Sequence, residues 1–204
     1  MQKFIFACEK QIVLATHNRD KVKEIRELLN LPNIEILTLD EFPDAPEVVE
    51  DGATLEENAI KKARVMAEFT GLPAVADDTG LEVDYLNGEP GVYSSRYSGE
   101  GASYANNVQK LLRQLAGVPW EKRTAKFRCV VALCANDETC TVEGRCEGFI
   151  TEAPNGERGF GYDPIFYIPE HRRTFAEMDL SLKNRISHRA KAFEKLKEIL
   201  ERGE

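Results

Sequence analysis

The chain has 204 residues, 42% of them hydrophobic and 30% charged, enough for one large domain with a sizeable core and too apolar for a disordered polymer. A formal net charge of −8 argues against a general nucleic-acid binder or a protein of anionic membrane surfaces, since both reward an excess of Lys and Arg. Five cysteines, Cys8, Cys129, Cys134, Cys140 and Cys146, show no C-x-x-C spacing and read as small buried hydrophobes of a reduced, cytoplasmic protein, and no run approaches membrane-spanning length.

Residues 1–10 carry an apolar run too short for a signal h-region and broken by Glu9 and Lys10. Residues 11–15 have a buried-strand pattern, which Thr16-His17-Asn18 interrupts before Val22, Ile25, Leu28 and Leu29 recur at helical spacing. Asn18 is the candidate N-cap. A strand feeding a polar loop that opens a helix offers backbone N–H groups and a macrodipole to an anion. Lys21, in the first turn, works against that dipole by roughly 0.3–1 kcal/mol at an exposed site, and a bound phosphate reverses the sign. The loop is no Walker sequence, so alone this signal is weak.

Residues 31–39 suggest a second strand after a Pro turn, and residues 42–52 an acidic loop containing Glu47, Glu50 and Asp51. Thr54 and Glu57 form a capping box for a helix whose apolar stripe is Leu55, Ala59, Ala63, Met66 and Ala67, ending before Gly71. An apolar run then reads as a short buried strand that Asp77-Asp78 and Thr79-Gly80 stop abruptly. Open α/β sheets place their ligand crevices at such strand ends. Paired carboxylates there need a cation or hydrogen-bond donors; a capped turn is the plainer reading.

After Gly80, Leu81, Val83 and Tyr85 alternate with Glu82 and Asp84 as a half-exposed strand turning at Asn87-Gly88. The loop over residues 89–99, with Arg96 among aromatics, suits a site lining, a subunit interface or an ordered surface loop. An amphipathic helix runs from about Ser103 through Tyr104, Val108, Leu111, Leu112 and Leu115 towards Gly117 and Pro119. Residues 125–134 and 139–150 read as a hairpin about Asn136-Asp137. In the stretch 156–167, glycines on both sides of Phe160 allow a close backbone approach while an aromatic ring is held in place.

The last helix carries Ala190, Phe193, Leu196, Ile199 and Leu200 on one face. With Ser187 as its N-cap, His188 and Arg189 occupy the first turn, and Lys183 and Arg185 complete a basic knot. A structural ion-pair cluster is the alternative reading of that knot. The inventory fits a nucleoside triphosphate with Mg²⁺, a cation commonly held by one or two carboxylates plus substrate phosphates. His17, His171 and His188 have no obvious paired nucleophile.

Six segments carry a resemblance: Thr16-His-Asn-x-x-Lys21, Glu50-Asp-Gly with Glu57-Asn-Ala, Ala76-Asp-Asp-Thr-Gly-Leu81, Pro90-Gly-Val-Tyr-Ser-Ser-Arg96, Gly159-Phe-Gly-Tyr-Asp-Pro164 and Ser187-His-Arg189. In order and spacing, from about Ile12 to the C-terminus, they resemble the motifs of the Ham1 family of inosine/xanthosine triphosphate pyrophosphatases. That resemblance implies hydrolysis of ITP, dITP and XTP to the monophosphate and pyrophosphate with Mg²⁺, usually by a homodimer. It also implies an α/β fold with an elongated central mixed sheet, flanking helices and two lobes around a substrate cleft. The whole chain would be one such domain, with residues 1–10 as an extension.

By motif position, Thr16, His17, Asn18, Arg19, Asp20 and Lys21 would hold phosphates. Asp78 would be general base and metal ligand, and Thr79 would contact substrate. Phe160, Gly161, Tyr162, Asp163, Lys183, His188 and Arg189 would hold the base. Glu50 would be the second metal ligand, with Glu47 or Glu57 as substitutes, and Asp77 a helper of open role. His17 departs from the family pattern, which often has Gly there. A 6-keto oxygen would accept a hydrogen bond from Arg189 or His188; adenine's amino group would leave a buried donor unpaired, at roughly 1–3 kcal/mol. Two other readings stay open: a Maf-like pyrophosphatase of pyrimidine or modified nucleotides, and a catalytically silent nucleotide sensor.

Overall fold

The computed structural model describes residues 10–202; Cys8 and residues 1–9 of the expected extension lie outside the described residues. The fold is α/β, with a mixed eight-stranded sheet and five α-helices among the described residues. In chain order the elements are β1 (Gln11–Leu14), α1 (Arg19–Leu28), β2 (Glu35–Thr38), α2 (Leu55–Thr70), β3 (Ala74–Val83), β4 (Pro90–Gly91) and α3 (Tyr104–Gln114). They continue with β5 (Thr124–Ala135), β6 (Glu138–Ile150), β7 (Phe166–Ile168), β8 (Arg173–Thr174), α4 (Leu180–Ile186) and α5 (His188–Arg202). The strand order is β2-β1-β3-β5-β6-β7-β8, with β4 paired to β3. Pairings are parallel for β1 with β2 and β3, and antiparallel for β3 with β4, β6 with β7 and β7 with β8.

The chain divides into two compact units. The first comprises the chain up to Asp78, Cys129–Gly144 and the chain from Arg189; the second comprises Thr79–Arg128 and Arg145–His188. In the first, Ile12, Leu14 and Val75 pack with Ile25 of α1, with Leu29 just past its end, and with Phe193, Leu196 and Leu200 of α5. In the second, Leu81, Leu111, Leu115, Phe127, Phe166 and Phe175 form the core.

Local signals account for several boundaries. Asn18 caps α1, its side chain accepting the N–H groups of Asp20 and Lys21. Thr54 and Glu57 make the reciprocal box that starts α2, and Gly71 ends it in the left-handed conformation at φ 68°. Asn136 and Asp137, at φ 48° and 64°, are the paired left-handed residues that a two-residue hairpin turn requires.

The main departure from expectation is β3. Asp77-Asp78 does not end a strand; the backbone stays extended through both carboxylates, Thr79 and Gly80 to Val83. Leu81 and Val83, expected on a separate half-exposed strand, are fully buried in this same one, and Tyr85 lies beyond it in a 3₁₀ turn. Buried charges stop a strand when nothing but water can compensate them. Here cationic side chains meet them inside the fold. Smaller differences follow: β2 covers only part of the expected run, and α4 precedes the terminal helix. Ser187 stands, as expected, immediately before that helix, extended and with its N–H donating to the Lys183 carbonyl.

Candidate functional site

In the first unit the site starts where β1 runs into α1. Thr16 Oγ1 accepts the Asn18 N–H at 3.2 Å, and Asn18 Oδ1 accepts those of Asp20 at 3.0 Å and Lys21 at 3.1 Å. The cap therefore occupies two N–H groups that sequence reasoning had left for an anion. What the helix start offers a phosphate is its dipole and the Lys21 ammonium. His17, Arg19 and Asp20 are exposed around it, while Thr16, Asn18 and Lys21 are half-buried.

Lys21 Nζ lies 3.0 Å from Asp77 Oδ2. The same oxygen is 3.1 Å from Arg189 Nη2, and Arg189 Nη1 is 2.6 Å from Glu24 Oε2. Cys129 Sγ stands 3.8 Å from Asp77 Oδ2. Burial pushes the Asp77 carboxyl up, but Lys21, Arg189 and Lys62 outweigh it and hold it well below the usual carboxylate range. Arg189 is displaced upward by these carboxylates in spite of its burial. The Arg189 guanidinium, expected at the base, has two carboxylate partners in the structure, Glu24 and Asp77.

Asp78 is treated differently. Its Oδ1 is 3.1 Å from Lys62 Nζ, and its Oδ2 accepts from Asn58 Nδ2 at 3.3 Å. Burial raises its pKa, and Glu50 adds to the rise against the opposing pull of Lys62 and Lys21. Lys62 Nζ also reaches Glu50 Oε1 at 2.5 Å and the Asp77 carbonyl at 2.8 Å. Glu50 and Asp78 thus converge on one ammonium. Glu57 is committed to the cap, accepting the Ala53 and Thr54 N–H groups, and Glu47 is exposed.

No group of three or more His, Cys, Asp and Glu able to hold a metal occurs among the described residues. Convergence of Glu50 and Asp78 on a single cation nevertheless fits Mg²⁺, whose remaining positions are ordinarily filled by water and phosphate oxygens.

The second unit carries a separate constellation. Gly159 and Gly161 adopt φ 71° and 62° around Phe160. A Cβ on Gly159 would fall 2.1 Å from Asp163 Oδ2, so only glycine fits there. Asp163 Oδ2 accepts the Phe160 N–H at 2.9 Å and lies 2.5 Å from Lys183 Nζ. The Lys183 ammonium stands over the Phe160 ring at 5.0 Å. Phe160 is half-buried, and Tyr104, expected on the apolar stripe of α3, is exposed with its ring 5.9 Å from Phe160. Tyr162 is buried, its hydroxyl donating to the Ser94 carbonyl at 2.9 Å. His188 is buried and stacks on Phe127 at 4.5 Å. Thr79 follows Asp78 in β3, half-buried.

A Ham1 family profile matches residues 12–199, a span that includes every residue assigned above. The chain belongs to the Ham1 family. A dITP/XTP pyrophosphatase of Desulforamulus reducens is 54% identical over 193 residues, covering 94% of this chain and 96% of that protein. One of Geobacter sulfurreducens is 52% identical over 191 residues, covering 93% and 96%. Among solved structures, a HAM1 protein from Coxiella burnetii superposes with a TM-score of 0.86 at 47% identity, covering 94% of this chain and 98% of that one.

Glu24 and Lys62 of this Ham1 chain escaped sequence reasoning, and Asn58, within the Glu57-Asn-Ala segment, was given no role there. Asn58 and Lys62 sit on the core-facing stripe of α2 with Leu55, Ala59, Ala63 and Met66, and all six are buried. Polar residues at positions whose period demands apolar ones were the available signal. Glu24, buried next to Ile25 in α1, is the same kind of exception.

Proposed function

We propose that this Ham1 chain hydrolyses non-canonical purine nucleoside triphosphates, ITP, dITP and XTP, to the monophosphate and pyrophosphate, removing them from the nucleotide pool. The names of relatives such as those of D. reducens and G. sulfurreducens, both dITP/XTP pyrophosphatases, support the substrate class. The observation that carries the chemistry is the opposite treatment of neighbouring carboxylates: Asp77 is held ionised by Lys21 and Arg189, while Asp78, its oxygens facing Lys62 and Asn58, has its pKa raised by burial.

In the reaction, a water oxygen bonds to the α-phosphorus as its proton passes to Asp78. The bond from that phosphorus to the α–β bridging oxygen breaks, and its electron pair leaves with pyrophosphate. Phosphoryl transfer of this kind needs positioning and charge neutralisation more than covalent help. Lys21 and the start of α1 supply positive potential to the phosphates, and Lys62 keeps Glu50 and Asp78 facing one point. Glu50 and Asp78 would hold Mg²⁺, which when bound neutralises phosphate charge. At the base, Phe160 offers a stacking face, with Lys183 beside it as a donor that suits a 6-keto oxygen.

With this reading go a homodimer and a reduced, cytoplasmic setting. Thiols in place of disulfides at Cys129, Cys134, Cys140 and Cys146 support the latter. Among the described residues no helix is long and apolar enough to cross a membrane. Sedimentation at a single-chain mass would remove the dimer. The function is tested by incubating purified protein with Mg²⁺ and ITP, alongside UTP and dTTP at equal concentration. Pyrophosphate released fastest from ITP is expected; orthophosphate alone, or preference for the pyrimidines, contradicts it.

A further inference from the structure

Asn58 is assigned no role in the chemistry above, yet its side chain joins both acidic elements of the first unit. It is buried to 1% exposure near the start of α2. Its Oδ1 accepts the Gly52 N–H at 2.8 Å, and its Nδ2 donates to Asp78 Oδ2 at 3.3 Å. Gly52 lies close after Glu50 in the acidic loop. The approach is tight enough that a Cβ on Gly52 would fall 2.7 Å from Asn58 Oδ1.

An amide is the side chain of this size that presents an acceptor at one corner and a donor at the other. Aspartate would keep the acceptor for Gly52 and oppose Asp78 with a like charge; leucine would serve neither end. The other Asp78 oxygen belongs to Lys62. With one donor on each oxygen, the carboxylate is fixed in rotation, as geometry-sensitive proton transfer requires.

We propose that Asn58 is a positioning residue of the hydrolysis. Its amide sets the rotation of the Asp78 carboxylate and holds the Gly52 backbone, and with it the Glu50 loop, against that carboxylate. This rests on Asp78 being the general base.

The test measures kcat and KM for ITP at saturating Mg²⁺ for Asn58→Leu and Gly52→Ala, and repeats Asn58→Leu in an Asp78→Asn background. ITP binding is read separately by calorimetry. Gly52→Ala displaces the amide by crowding Oδ1 while leaving Asn58 in place, so it serves if Asn58→Leu does not fold. For both single variants kcat is expected to fall on the order of 10- to 100-fold, with KM and ITP affinity within about threefold of wild type. In the Asp78→Asn background, Asn58→Leu is expected to cause less than about a twofold further loss, because residues acting as one unit are not additive.

An unchanged kcat, a loss confined to KM, or the same fold-loss in both backgrounds would overturn the inference while leaving Asp78 its role. If Asp78→Asn itself turns over at the wild-type rate, the catalytic reading fails and the inference goes with it.

Discussion

Asp77 and Asp78 have the same side chain and adjacent positions, and what separates them is the number and placement of cations. Asp77 Oδ2 meets both Lys21 and Arg189, whereas Asp78 shares Lys62 with Glu50. Asp77 therefore has a folded-state pKa below its ordinary 3.8. Its ionised form is favoured by folding, so its stabilisation is fully present above that ordinary value and is lost as pH falls through the lower folded one. Acid unfolding followed by circular dichroism should show this slope in the wild type and a shallower one in Asp77→Asn; equal slopes would remove Asp77 as a titrating support.

Asp78 has the opposite sign. Its folded pKa lies above 3.8, so its ionised form at neutral pH is a liability to the fold. We expect Asp78→Asn to lower turnover on the order of 10²–10⁴-fold while leaving Tm at pH 7 equal or higher. Calorimetry alongside kinetics checks the pair of outcomes. A large fall in Tm would make Asp78 a structural residue first. Function placed over stability in this way is a familiar trade at active sites.

At the scale of elements, β3 carries both carboxylates, and the loop around Phe160 holds its ring within the second unit. The Phe160 loop depends on Gly159: its φ of 71° and the space taken by Asp163 Oδ2 leave no room for a side chain. Gly159→Ala should pull Asp163 from the Phe160 N–H, raising KM for ITP about 10-fold with a smaller change in kcat. Steady-state kinetics decides, and an unchanged KM would sever this loop from the base.

Elements whose signals are local were legible from sequence: Asn18 before α1, the Thr54 and Glu57 box, and the left-handed Asn136-Asp137 turn. The continuity of β3 was not, because the groups that compensate its carboxylates are remote. Lys21 lies 56 positions before Asp77 and Arg189 lies 112 after it. The same distance effect hid Asn58 and Lys62, whose partners in β3 cannot be inferred from the α2 pattern alone. Conversely, the glycines about Phe160 were legible as a close approach, but that Asp163 is what they approach was not.

For the molecule as a whole, each compact unit carries its own core and its own set of proposed site residues: Lys21, Lys62, Asp77 and Asp78 in the first, Phe160 and Lys183 in the second. Lys62 already compensates Glu50 and Asp78. The fold should therefore stand without Mg²⁺, whereas the proposed reaction would need it. Chelation by EDTA is expected to abolish turnover while shifting Tm by no more than about 2 °C in the absence of nucleotide. A large drop in Tm would make the metal a structural component, since a ligand that binds the folded state tightly stabilises it by mass action.

In the proposed reaction Asp78 takes the proton of the water that attacks the α-phosphorus of a non-canonical purine nucleotide. The most direct measurement is phosphorus NMR of the products formed from ITP and Mg²⁺ in ¹⁸O-labelled water. The account predicts unlabelled pyrophosphate and label in IMP, with both signals lost in Asp78→Asn. Label in pyrophosphate, orthophosphate as the product, or unchanged turnover in Asp78→Asn would contradict it.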